Sequence, residues 1–249
     1  MIFGQKLRAG IIVFLGTNCD RDTKMALDAL NFETEYVFHT SSNLEKYDLI
    51  VLPGGFSFGD YIRAGRLAKL SPVMDGIKRY IKSKRGFVLG ICNGFQILCE
   101  AGLLPGALIE NKGAKFISED EKLLFNAGGA GGAEAIGDTC GGFEEIILPI
   151  AHKEGCFWAD EETLQRIEEK NMAIIRYKTG GNPNGSINNI AGLYDSENKV
   201  FGLMPHPERA VLKGCSEVFY LKDGVKIFEF IRAEILKEHS GHKGRRALR

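Results

Sequence analysis

The sequence has no long apolar run, no paired-cysteine motif and no excess of charge of either sign, and each absence removes a class of protein. Its first apolar stretch, Ile11 to Leu15, is followed closely by Asp20 and Arg21. It is shorter than the roughly 7–15 residues of a secretion signal core and far short of the roughly 20 of a membrane span, so it reads as a first strand. The six cysteines, at 19, 92, 99, 140, 156 and 215, stand alone. Without C-x-x-C or C-x-x-H spacing they support neither a zinc site nor a disulfide framework, and they fit a reducing, cytoplasmic setting. The 32 basic and 32 acidic residues cancel, which leaves no bulk field to draw the chain to nucleic acid or an anionic membrane. The one biased run, HKGRRALR at the C-terminus, reads as a solvated tail within 239–249. The glycine run at 128–132 does not lie between a strand and a helix, so it is not a phosphate or dinucleotide loop.

What is present is a hydrophobic content of 44% over 249 residues, enough for one large core in a single domain over 1–238. Strand-like runs at 11–15, 34–38, 49–52 and 87–90 alternate with helix-like stretches at about 20–30, 60–83 and 93–101. Ser71-Pro72 reads as an N-cap followed by proline at the first helical position. This βαβ alternation predicts an α/β fold with an open, mostly parallel sheet flanked by helices. Beyond Pro105 the rhythm changes. Strand-like pieces at 107–110, 146–151, 173–177, 190–194 and 199–203 are joined by turns such as Asn182-Pro183-Asn184-Gly185, which predicts an antiparallel extension. A helix over 160–170, capped by Asp160, interrupts them, and an amphipathic helix over about 216–238 closes the fold.

Ligands of open α/β sheets sit at the carboxyl ends of the strands, so the turns there are where chemistry is expected. In Gly90-Ile91-Cys92-Asn93-Gly94 a cysteine stands on a strand-to-helix turn between glycines, the pattern of a nucleophile elbow, at a helix N-terminus whose dipole favours a thiolate. In Met204-Pro205-His206-Pro207-Glu208 the prolines bias the backbone toward extended geometry, in which residues two apart share a side. Glu208 can then hold one ring nitrogen of His206 while the other faces the thiol, completing nucleophile, base and orienting group. Gly54 and Gly55, after a strand ending at Leu52, can turn backbone N–H groups inward and form an oxyanion hole with the N–H of Asn93. A competing elbow exists in Gly55-Phe56-Ser57-Phe58-Gly59, although Pro53-Gly54 has already broken the strand before it.

Taken together, Pro53-Gly54-Gly55, Gly90 to Gln96 and Pro205 to Glu208 resemble the three signatures of class I (triad) glutamine amidotransferases. More narrowly, GTNCD (16–20), LPGGFSFGDYIRAGRLAKLSPVM (52–74), PIAHKEG (149–155), NPNGSINNIAGL (182–193) and GLMPHPERAV (202–211) resemble the glutaminase subunits of phosphoribosylformylglycinamidine synthase. The resemblance implies a flavodoxin-like sheet and hydrolysis of glutamine to glutamate and ammonia through a thioester on Cys92, with His206 and Glu208 completing the triad. It implies that Gln96 lines the glutamine pocket, that His152 and Glu154 stand near substrate or an interface, and that Arg63 and Arg66 contact a partner. It further implies a synthetase subunit, which carries ATP and Mg²⁺, and a small third subunit, with no cofactor or metal in this chain. One stretch departs from the family: the glycine- and alanine-rich segment 117–143 reads as a flexible insert in a region that could touch the synthetase. Two other functions stay open on the residues alone, a stand-alone cysteine hydrolase or peptidase and a catalytically silent interaction subunit.

A glutamine-mimicking electrophile should leave its adduct on Cys92, located by mass spectrometry of the digested chain. An adduct on Ser57 would instead install the rival elbow.

Overall fold

The computed structural model describes residues 6–84, 86–128, 142–211 and 223–246, with side chains described up to 237. Strands β1 (Arg8–Val13), β3 (Leu49–Leu52) and β4 (Phe87–Ile91) carry near-continuous apolar sequence and are almost wholly buried, as strands covered on both faces must be. β2 (Glu33–Phe38) is charged and mostly exposed and forms one edge, where charge discourages pairing with another chain. The later strands are β5 (Ala107–Ile109), β6 (Ile117–Phe125), β7 (Glu144–His152), β8 (Cys156–Trp158), β9 (Ile175–Tyr177), β10 (Ile190–Asp195) and β11 (Val200–Leu203).

Nine of these form one sheet in the order β2-β1-β3-β4-β11-β10-β9-β6-β7. Every pairing from β2 to β11 is parallel, and every pairing from β11 outward is antiparallel. The expected antiparallel extension is therefore as wide as the parallel half. β5 and β8 pair separately. Helices α1 (Asp20–Ala29), α2 (Pro72–Lys82), α3 (Asn93–Glu100), α4 (Glu161–Glu169) and α5 (Gly224–Arg246) flank the sheet. Among the described residues no helix is long and apolar enough to cross a membrane. Because β1 lies between β2 and β3, the chain winds to opposite sides of β1, and the crevice at the strands' carboxyl ends opens there.

Several local expectations hold for identifiable reasons. Asp160 Oδ1 accepts from the Thr163 N–H at 2.8 Å and caps α4. In the 182–186 turn, Asn182 Oδ1 accepts from the N–H groups of Gly185 and Ser186, a side chain imitating backbone.

Others need correction. The helix read over 60–83 begins only at Pro72, because Asp60, Ile62 and Gly65 hold left-handed backbone (φ 52°, 75° and 77°) that breaks any helix before it. Short 3₁₀ turns at Ser57–Asp60 and Ala68–Leu70 take its place. The segment 117–143 is no flexible insert at its start. Ile117–Phe125 is a nine-residue strand held between β7 and β9, with Leu123 and Phe125 buried. Its acidic residues 119–121 hid the strand pattern. The glycine-rich centre, 129–141, lies outside the described residues, as do Cys140 and Cys215. The closing helix is described from Gly224, not 216, and continues to Arg246 through most of the stretch read as a tail.

The elbow sits where packing is tightest. α3 lies against β3, β4 and β11, and a Cβ on Gly94 would overlap the Leu52 carbonyl oxygen. Gly94→Ala should therefore destabilise the fold by about 3 kcal/mol, read as a drop of several degrees in Tm. An unchanged Tm would mean that α3 approaches β3 less closely than described.

Candidate active site

β4 ends at Ile91 and α3 begins at Asn93, so one residue, Cys92, makes the whole turn. Its φ of 51° and ψ of −104° are strained for an L-residue, at a cost on the order of 1–3 kcal/mol. Two bonds hold it there. The Cys92 N–H donates to the Leu203 carbonyl at 2.8 Å, tying the turn to the end of β11, and the Cys92 carbonyl accepts the Gln96 N–H at 3.1 Å to start the helix. Sγ lies 3.7 Å from the Ala151 carbonyl oxygen at the end of β7. The first N–H groups of α3 have no intrahelical acceptor.

His206 arrives from β11. Its N–H donates to the Pro149 carbonyl at 2.8 Å, fixing it against β7, and Nδ1 meets Glu208 Oε1 at 2.6 Å with both side chains buried. The route differs from the extended one expected. Pro207–Ala210 is a 3₁₀ turn, which curls Glu208 back beneath the ring. Nε2 has no hydrogen-bond partner among the described residues, and the ring lines the same cavity of about 470 Å³ as Cys92. Burial opposes a charge on the ring, but Glu208, and after it the Cys92 sulfur, raise its proton affinity well above that of an ordinary histidine. The ring is thus set to hold a proton beside the sulfur.

The double glycine is required by close approach. A Cβ on Gly54 would lie 2.8 Å from His206 Cε1 and 3.1 Å from Cys19 Sγ, and Gly55 holds φ +147° against Thr17 and Asn18. Gly54 serves through its carbonyl, which accepts from the N–H groups of Asn18 and Cys19, and it does not line the cavity. Gly55 does. The bonds from Phe56 N–H to Gly16 and from Asn18 N–H to Gly54 bracket it, so its own N–H turns away from that segment. Of the three residues expected to supply oxyanion donors, Gly55 lines the cavity, Asn93 opens α3, and Gly54 is turned to the 18–19 segment.

Gln96 is buried and fully engaged. Its Nε2 donates to the Glu154 carbonyl at 2.6 Å and its Oε1 accepts from Asn93 Nδ2 at 2.9 Å, so it builds the cavity wall. His152 and Glu154 also line the cavity. Burial and the charge of His206 push His152 down to about 4, which keeps it neutral, with Nδ1 against Asn111 Oδ1. Arg63 and Arg66 stand outside the lining, where both clamp Glu100 at the end of α3, at 2.5 and 3.3 Å. Ser57 Oγ is buried, partnerless among the described residues and not in the cavity lining, so the rival elbow lacks both a base and a substrate. Cys99 is an inert core thiol, pushed far up by burial.

Three cavity-lining residues escaped the sequence reading. Cys19, dismissed as one of six scattered cysteines, lies beside His206: Cys19, His206 and Glu208 each place a donor atom within 4.8 Å of the others. Arg209 Nη2 donates to Cys19 Sγ at 3.1 Å. Asp60 faces the cavity from the left-handed loop after the double glycine. The signal for all three was their place within quoted motifs, GTNCD, FSFGD and HPERA, beside residues already chosen.

The chain is similar to known proteins. The model of the CobB/CobQ-like glutamine amidotransferase domain matches residues 6–229. The phosphoribosylformylglycinamidine synthase subunit PurQ of Prochlorococcus marinus subsp. pastoris is 48% identical over 217 residues, 87% of this chain and 93% of its own length. Its counterpart in Trichormus variabilis is 44% identical over 92% of this chain and 99% of its own. Among solved structures, PurLQS from Thermotoga maritima contains a chain that superposes with a TM-score of 0.76 at 38% identity, covering 92% of this chain and 99% of that one.

The His206–Glu208 pair has a pH signature. Because the folded ring's proton affinity is raised from 6.5, the pair's stability is fully present below that pH and is lost as pH rises through the raised value. Glu208→Gln should therefore lower Tm most in mildly acidic buffer and least in alkaline buffer, and should slow amide hydrolysis by about 10²–10⁴-fold. A Tm gap independent of pH would mean that the ring is neutral.

Proposed function

We propose, on the footing that the chain belongs to the PurQ family of glutamine amidotransferases, that it is the glutaminase subunit of a phosphoribosylformylglycinamidine synthase in purine biosynthesis. It hydrolyses L-glutamine to glutamate and ammonia and hands the ammonia to a synthetase subunit that converts formylglycinamide ribonucleotide to the amidine. The observation that carries the chemistry is the buried cavity shared by Cys92 and the Glu208-bound ring of His206.

In the proposed cycle the Cys92 sulfur bonds to the carboxamide carbon, and the carbonyl electron pair moves onto oxygen, toward the N–H groups of Gly55 and the start of α3. The C–N bond breaks as His206 passes its proton to the departing nitrogen. Water, losing a proton to His206, then attacks the γ-glutamyl thioester, the C–S bond breaks, and glutamate leaves. The high proton affinity of His206 suits the first step, and the Glu208 carboxylate offsets the ring's charge throughout.

The partners belong to the same reading. A synthetase subunit holds ATP and Mg²⁺, a small third subunit completes the assembly, and the complex works in the cytoplasm. The loop after the double glycine supports a docking role, since it leaves Tyr61 and Ile62, adjoining the cavity-lining Asp60 in sequence, largely exposed. Arg63 and Arg66, engaged with Glu100, contribute by holding that loop in place.

Cys92→Ala should abolish glutamine-dependent synthesis by the assembled complex while leaving ammonia-dependent synthesis intact. A silent interaction subunit would show no glutamate release in the wild-type complex. A stand-alone hydrolase would cleave other amides or peptides with no gain from the partner.

A further inference from the structure

Arg209 stands where three parts of the site meet, and the proposed cycle gives it no task. It follows Glu208 in the 207–210 turn, and its own N–H donates to the His206 carbonyl at 3.2 Å. Its side chain leaves that turn for the start of α1, 190 positions away in sequence, where Nη2 donates to Cys19 Sγ at 3.1 Å. Its Nε lies 3.4 Å from Asp22 Oδ2 and 4.0 Å from Glu208 Oε1, the oxygen that meets His206. Burial alone would loosen the guanidinium's proton, but the Cys19 sulfur, Glu208 and Asp22 outweigh it, so the group stays charged.

The far end of this link is built to receive it. The Cys19 N–H donates to the Gly54 carbonyl at 3.2 Å, and its sulfur donates to Asn18 Oδ1 at 3.2 Å. The sulfur lone pairs are thus left for Arg209. α1 also packs directly against the 207–210 turn.

Two cations therefore share one buried carboxylate. Glu208 spends Oε1 on His206, and its Oε2 is buried with no partner among the described residues. A carboxyl group rotates easily about its last bond, so its grip on the ring depends on how firmly its backbone is held. The His206 N–H anchors one side of the turn to Pro149, and Arg209 ties the other to α1. The guanidinium charge acts as well, because a cation beside Glu208 opposes a second positive charge on the ring. A ring that gripped its proton harder would be a poorer acid toward the departing nitrogen.

We propose that Arg209, locked to α1 through Cys19 and Asp22, is a positioning residue of the triad: it holds the turn that carries Glu208 and, as a second cation on that carboxylate, restrains the ring's grip on its proton. The inference rests on the glutaminase reading of the cavity and deepens it by naming what sets the working pH of the base. The titratable groups around the ring are Cys92 after β4, Cys19 at the start of α1, His152 at the end of β7 and Glu208 on its own turn, with Asp22 behind Arg209. Asp60, Lys153 and Glu154 line the same cavity. The test leaves all of these in place and alters Arg209 alone.

Arg209→Gln keeps an N–H donor for the sulfur and removes the charge, whereas Arg209→Lys keeps the charge and removes the planar fork. The side chain is 37% exposed, so neither change empties the core. In the assembled synthase Arg209→Gln should lower kcat for glutamine about 10-fold and leave KM within about twofold. It should also move the alkaline limb of the kcat/KM profile up by about 0.5–1 pH unit, a shift moderated by solvent around the side chain. Arg209→Lys should return the limb to its wild-type position while kcat stays lowered. NMR titration of the His206 imidazole in the full chain should show the same upward move for Arg209→Gln with no turnover involved. Limb and ring unmoved in Arg209→Gln overturn the assignment: with a raised KM they make Arg209 a substrate contact, and with a lowered kcat alone a purely structural residue. A wild-type complex that releases no glutamate would remove the glutaminase reading itself, and the NMR titration would still decide the role of Arg209.

Discussion

The hydrogen bond that ties the site together joins two strand ends. The Cys92 N–H on the turn after β4 donates to the Leu203 carbonyl at the end of β11, and this bond holds the nucleophile in a backbone conformation it would not keep alone. It also fixes where the next turn begins. Three residues after Leu203 comes His206, anchored to Pro149 on β7 by its own N–H. The nucleophile, the base and the wall opposite them are thus referenced to one set of adjoining strands. Such referencing is how a rigid sheet holds reacting groups in place.

The cavity's electrostatics divide into compensated and uncompensated charge. Glu208 is buried and spends its charge on His206 at 2.6 Å, which keeps a proton available where a leaving group needs one. Elsewhere in the chain a buried acid is neutralised by cations: Glu234 takes Lys199 at 2.5 Å and Lys237 at 2.6 Å, which lower it to about 2 despite burial. Asp60 has no such partner among the described residues and is instead pushed up to about 6 by burial and the neighbouring Glu154 charge.

Much of this was legible in the sequence because the relevant physics is local. A cysteine between glycines at the end of an apolar run can only be a tight turn, and Asp160 capped its helix as its position required. Legibility failed where long-range pairing overrode local pattern. β6 looked like loop because its acidic residues face solvent at one end, while β7 and β9 supply the backbone bonds that make it a strand. The loop 60–70 looked helical because its composition permits a helix, and only the left-handed residues at 60, 62 and 65 prevent one.

What the sequence by itself determined was the α/β alternation and the presence of a cysteine and of a histidine with a glutamate on turns after strands, since each follows from residue types a few positions apart. Only the tertiary structure decided that Cys19 stands beside His206, that Arg63 and Arg66 are tied to Glu100, and that Asp60 and Glu154 share one wall from positions 94 residues apart (154 − 60). The physical reason is that a charge's meaning depends on what neutralises it, and in a folded chain that partner comes from whichever strand end the sheet order brings alongside.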